Sequence, residues 1–197
     1  MKKDVMNLSI KLGALFLALT GVFAFTYYNN AELAKELLEP YFESLEGLIG
    51  EDGSLDFVGI WLNNLFVCVK TVAMGSIPLL HLPVIILLSN SVLIGTVLGL
   101  SAAETNISLV DSILYMILPH GVFELPAMFL SFGLGVYLCQ WMTKRMFRKN
   151  INDTRSFVDV MNSVAKAFVL VIIPLVTIAA FIECYVTPEI AAWAGLA

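Results

Sequence analysis

Five stretches of roughly twenty mostly apolar residues, near 8–28, 57–79, 82–100, 119–142 and 163–185, constrain this chain more than any other feature. Each has the length a helix needs to cross a hydrocarbon core of about 30 Å. In lipid, only helices and closed barrels satisfy every backbone N–H and C=O internally, and runs this long read as helices. The expected fold is therefore all-α: a polytopic membrane helix bundle of about five transmembrane helices, treated as one membrane domain over 1–197. Composition agrees, with 59% hydrophobic residues, 14% charged and a mean hydropathy of +0.87; a soluble domain carries about 25% charged residues. A soluble enzyme, a disordered chain and a nucleic-acid binder, which needs a basic face, are excluded. The first block follows Lys2 and Lys3, as a signal peptide would. Its apolar run exceeds the roughly 7–15 residues of such a segment, and Ala24 leads into Phe25, Tyr27 and Tyr28 rather than a small-residue cleavage site. A retained first helix is expected. Cys68, Cys139 and Cys184 are odd in number, lie in or beside apolar blocks and read as small hydrophobes, not as a disulfide framework.

Basic residues set the expected orientation. Lys2, Lys3 and Lys11 open the first span; Lys144, Arg145, Arg148, Lys149, Arg155 and Lys166 lie in or beside the loop between spans four and five. Nine of the eleven Lys and Arg thus share one side, whereas the connection 29–56 carries eight acids and only Lys35. This predicts a cell-membrane protein with a cytoplasmic N-terminus, an outside C-terminus and a basic cytoplasmic loop at 143–162, where anionic headgroups of the membrane lipid are a further possible partner. Outside, 31–49 places Leu33, Leu37, Leu38, Tyr41, Phe42, Leu45 and Leu48 at helical spacing with glutamates between them. It reads as an acidic amphipathic helix capped by Asn29 or Asn30 and bent at Pro40, packed on the bundle, on a partner or on the membrane surface. The segment 107–118 opens with Ser108-x-x-Asp111, resembling a capping box, and is too short to span; a short re-entrant or surface helix ending at Pro119 is expected.

Polar groups in hydrocarbon must be paired or have a purpose, and here they are few: Asn63, Asn64 and Lys70 in span two, Asn90 in span three, His120 and Glu124 in span four, and Glu183 at the end of span five. At 1.5 Å per residue, Asn63, Asn64, His120, Glu124 and Glu183 reach similar heights in the outer leaflet, with Asn90 deeper. Lys70 can pair or snorkel along its stem. His120 and Glu124 are four apart and share a helix face, and Pro126 frees the carbonyl of Val122 beside them. With a carboxylate from a second helix, here Glu183, the pair could ligate Zn²⁺; the alternative is a hydrogen-bonded knot pinning spans two, four and five. His81, in the turn between spans two and three, reads as solvated. Gly95 and Gly99 form a GxxxG pair permitting close helix approach within the bundle or between protomers, and Gly133 and Gly135 could do the same. Pro174 predicts a kink in span five.

The run PHGVFELPA (119–127), followed by FGLG (132–135), resembles the signature of the stage II sporulation protein M family, also called DUF95. The resemblance extends to Asn64, to the Asn90…Gly95 stretch and to IPLVTIAAFIECYVTPEI with Glu183, Thr187 and Pro188, covering most of the chain from about 57 onward. A common family form has Asn-Gly in span three where this chain has Asn90-Ser91. The namesake acts in endospore engulfment, where it helps recruit cell-wall hydrolases to the septal membrane. Relatives also occur in archaea and in bacteria that never sporulate, so the resemblance implies an integral membrane protein without fixing that role. The family's matching polar positions coincide with the outer-leaflet cluster.

Three function classes follow. A non-enzymatic membrane protein that anchors or organises an envelope assembly, as a homodimer with an envelope protein partner docked outside at 29–56, fits the acidic helix and the absence of a complete catalytic set. A metal-dependent intramembrane hydrolase would use His120, Glu124 and Glu183 as ligands, but no HExxH motif is present. A transporter or channel would suit helices broken at Pro119, Pro126 and Pro174, yet the sequence shows no obvious repeat of the transporter kind.

Overall fold

The computed structural model describes residues 2–45, 55–105, 107–147 and 155–195. Among these the chain is helical nearly throughout and forms no β-sheet, and five of its helices are long and apolar enough to cross a membrane. They are α1 (Lys2–Tyr28), α3 (Phe57–Met74), α4 (Pro83–Glu104), α5 (Leu109–Met146) and α6 (Phe157–Trp193), with the shorter α2 (Ala31–Leu45) between the first two. The chain is a multi-pass membrane protein. Four of the five spanning helices outrun the apolar blocks that announced them, and α5 and α6 start early at serine caps that lie before their blocks. Ser156 starts α6 by a reciprocal capping box with Asp159, and Asp56 accepts the Val58 N–H at the start of α3.

α5 is the central helix, packing on α1, α3 and α6 and touching α4. One apolar core joins α3, α5 and α6 around Leu134, Leu138, Val160 and Val176; a second joins α1, α4 and α5 around Phe16, Leu87, Met128 and Phe132. Small residues bring the helices this close. A Cβ on Gly95 would stand 2.5 Å from the Phe23 Cβ, and one on Gly99 2.5 Å from the Ala24 carbonyl oxygen, so this GxxxG face lies against α1 within the chain. Gly133 also lies against α1, at Val5 and Ser9, and Gly135 against Thr71 and Pro83.

Two prolines are absorbed by changes of helical register. Pro119 and Pro174 each follow a π-helical stretch, Ser112–Ile117 in α5 and Phe168–Ile172 in α6, closed by N–H bonds five residues back, from Leu118 to Ile113 and from Ile173 to Phe168. Proline cannot donate to the carbonyl four residues earlier, and widening the preceding turn accommodates that loss without ending the helix. The expected short helix at 107–118 is accordingly helical, with Ser108 capping Asp111, but runs on through its π segment into the span. At Pro174, where a kink is expected, the same kind of widened turn precedes the proline.

α2 packs on α4 and on the end of α1. Its buried stripe is narrower than the leucine pattern suggested: Ala34 and Leu38 are buried, while Leu33 and Leu37 are exposed. Leu48 lies outside the described residues. The asparagines at its start work backwards, since the Asn29 and Asn30 side-chain amides donate to the carbonyls of Phe25 and Thr26 and so close α1, while only the Asn30 backbone carbonyl receives an N–H of α2, that of Ala34. Lys35 ties α2 to the end of α4 through Glu104, at 2.5 Å, and Glu104 first, with Glu32, holds the lysine's pKa above its ordinary value.

Candidate metal centre

α5 and α6 each bring two polar side chains to one place near the α2 end of the bundle. On α5, His120 and Glu124 stand one turn apart, with Nε2 of the histidine 3.9 Å from Oε2 of the glutamate. On α6, Glu183 and Thr187 stand at the same four-residue spacing, and the Thr187 hydroxyl lies 3.4 Å from His120 Nδ1. One ligand atom each from His120, Glu124 and Glu183 falls within 4.8 Å of the others. All three side chains are half-buried.

Local breaks make this meeting possible. The π segment before Pro119 adds a residue to the turn and resets the phase of the helix just ahead of His120. On α6 the helix stops at Tyr185 and restarts at Thr187–Pro188, which holds Thr187 beside the imidazole.

The remaining polar positions divide. Asn64, half-buried on α3, lies near the Glu183 carboxylate, and Asn63, exposed on the outside of α3, donates to Asn64 Oδ1 at 3.4 Å. Asn90 bonds its own helix at the Ile86 carbonyl; it sits in the half of α4 remote from α2. Lys70 is exposed one turn from the end of α3, and His81 is exposed and folds back on the Leu79 carbonyl. Tyr41 of α2 is half-buried, and burial first, then the charges of Glu183 and Glu124, push its phenol pKa up.

The donor set fits a divalent transition metal. An imidazole and two carboxylates are borderline and hard ligands of the kind zinc accepts, and Oε2 of Glu183 is buried without a hydrogen-bond partner. Two carboxylate charges held within 4.8 Å of each other repel by roughly 3 kcal/mol or more at an effective dielectric of 20. A bound cation would reverse that term, and the Thr187 hydroxyl on the other imidazole nitrogen is where an orienting partner belongs.

Thr187 is the member of the cluster that a list of ionisable groups leaves out. Its signal in the sequence is that it follows Glu183 by four and precedes a proline.

The family model for stage II sporulation protein M matches residues 13–188. Among curated proteins, the Uncharacterized protein MJ0793 of Methanocaldococcus jannaschii is 31% identical, the match covering 95% of this chain and 98% of the relative. The Uncharacterized protein MJ0706 of the same organism is 26% identical over 92% of this chain and 78% of the relative. No solved structure is a significant match. With a family match that leaves out only the first twelve and last nine residues, this chain belongs to the stage II sporulation protein M family.

Proposed function

We propose that this protein is a membrane-embedded scaffold that anchors or organises an envelope assembly, and that His120, Glu124 and Glu183 hold a divalent transition metal, zinc foremost, which clamps α5 to α6. The observation that carries the metal reading is the meeting of three ligand atoms within 4.8 Å around a carboxylate oxygen that has no other partner. The scaffold reading is supported by α2, which buries Ala34 and Leu38 on the bundle and leaves Glu32, Glu36 and Glu39 exposed as a docking face. The distribution of Lys and Arg puts that face and the metal centre outside and the N-terminus in the cytoplasm.

The test is elemental mass spectrometry of detergent-purified protein beside His120→Ala and Glu183→Gln. Near-stoichiometric zinc, or another transition metal, in the parent and its loss from both variants is the expected result. Folded parent protein without metal, or variants that keep it, would refute the metal and leave a polar clamp.

Three chain ligands leave a fourth position open, which is the form catalytic zinc sites take, and this favours a metal-dependent intramembrane hydrolase as the second reading. Glu124→Gln separates the two. A scaffold shows no turnover in either protein, whereas a hydrolase turns over and loses that turnover in Glu124→Gln at normal expression.

A further inference from the structure

α1 and α5 lie against each other in one half of the membrane and part in the other. In the closed half, Gly133 sits on the backbone of Val5 and Ser9, and a Cβ on Gly13 would stand 2.6 Å from the Phe129 ring. Phe16 then closes the gap, its ring 5.6 Å from Phe129 and 6.1 Å from Phe132. Beyond Phe16, toward α2, the helices diverge: a Cβ on Gly21 would meet nothing within 4 Å. The result is a cleft of about 910 Å³, floored by Ile94 and Leu98 of α4 and walled by α1 and α5. Its walls are apolar, apart from Thr20 and from the hydroxyls of Tyr28 and Ser108 at the α2 end, where amphipathic rings meet headgroups. Leu17, Phe25 and Val122 on its edges are exposed, so it opens sideways into the bilayer.

We propose that this cleft seats the hydrocarbon tails of one membrane amphiphile drawn from the leaflet on the α2 side. Length and the closed end at Phe16 decide between a tail and a helix of a second copy. From Phe16 to Tyr28 the cleft runs twelve residues, about 18 Å at 1.5 Å per residue, close to the roughly 15 Å depth of one leaflet. A tail entering from the headgroup side ends where Phe16 and Phe129 close the gap. A spanning helix would have to continue past that point for another leaflet. Tails are slim and flexible enough to fill the cleft, and a gap left empty in hydrocarbon forfeits the contacts of its lining. The inference rests on the cleft alone and stands or falls apart from the metal. It does place the tails against Gly121, Val122 and Leu125, on the same turns of α5 that carry His120 and Glu124.

The test uses the full chain in phosphatidylcholine vesicles that contain a trace of the same lipid with a photoactivatable diazirine in its tail, followed by peptide mapping after illumination. The expected label concentrates on the α1 and α5 walls, above that at Val69 and Leu170, which are exposed elsewhere on the belt. Gly21→Trp, which fills open space, should remove the excess at the walls and leave Leu170 unchanged; Val122→Trp provides the same block from the opposite wall. Uniform labelling around the belt, or an excess that survives both substitutions, would overturn the proposal. A disulfide-linked dimer formed readily by Gly21→Cys in vesicles would overturn it in favour of a second copy.

Discussion

The contrast between Gly99→Ala and Gly21→Ala tests the packing that organises the first half of the bundle. Both place one methyl group on an apolar helix, and both gain the same intrinsic preference for alanine, about 0.8–1 kcal/mol. Their surroundings differ. At Gly99 the new Cβ would stand 2.5 Å from the carbonyl oxygen of Ala24 and 2.8 Å from the amide nitrogen of Tyr28. Those are backbone atoms and cannot turn aside, so α1 must retreat by about 1 Å to reach an ordinary contact near 3.5 Å. Overpacking of this kind costs about 1–3 kcal/mol, which outweighs the propensity gain in most of that range. At Gly21 the Cβ meets open space and the propensity gain stands alone. The two variants should therefore differ by about 1–3 kcal/mol, Gly21→Ala the more stable. Reversible unfolding by sodium dodecyl sulfate in mixed micelles, read by tryptophan fluorescence, measures this, since Trp61 and Trp141 pack in or beside the core joining α3, α5 and α6. Equal shifts for the two variants would refute the close α1–α4 approach. A change in oligomeric state at Gly99 without a change in stability would move the GxxxG contact from within the chain to between protomers.

Two further outcomes follow from the same contacts. Leu38→Ala removes a side chain that is 1% exposed from the α2–α4 contact, a loss of about 2–5 kcal/mol. Hydrogen exchange should then speed up across the amides of 31–45 while α5 stays protected, and Lys35→Ala should change little, because solvent screens an exposed ion pair. Trp61→Phe removes the 2.9 Å bond from the indole N–H to the Thr177 hydroxyl that ties α3 to α6. It should cost about 0.5–1.5 kcal/mol in the same unfolding assay, with no further loss on adding Thr177→Val; additive losses would show that the two groups do not interact.

The spans were legible because a helix in lipid is specified by length and apolarity, both of which can be read without a partner. What hydropathy could not give was phase. The extra residue in each π-helical stretch leaves the apolar content of α5 and α6 unchanged, so Ser112–Ile117 reads as apolar residues too few to span rather than as the first turns of a longer helix. The proline that follows each stretch was the visible sign, but a proline predicts a disturbed hydrogen bond without saying whether the chain answers with a kink, a break or a wider turn. The asparagines after α1 show the same limit on a smaller scale. Asn29 and Asn30 can cap the helix that follows or close the one before, and the side-chain amide nitrogens found the carbonyls of α1.

For the candidate site, the sequence supplied height but not azimuth. Counting residues inward from the ends of the spans puts His120, Glu124, Glu183 and Asn64 at one level; the fold brings ligand atoms of the first three within 4.8 Å of one another, with Asn64 near Glu183. The same count put Asn63 at that level too, yet its neighbour Asn64 faces Glu183 while Asn63 lies on the outside of α3. Adjacent residues on a helix are turned about 100° apart, so depth alone admits both and only packing selects one. Four-residue spacing supplies the missing angle where two polar groups occur together. His120 with Glu124 fixes one face of α5, Glu183 with Thr187 fixes one face of α6, and two such faces at equal height can close on each other. The count carries through the Thr187–Pro188 restart, and that is what sets Thr187 beside the imidazole.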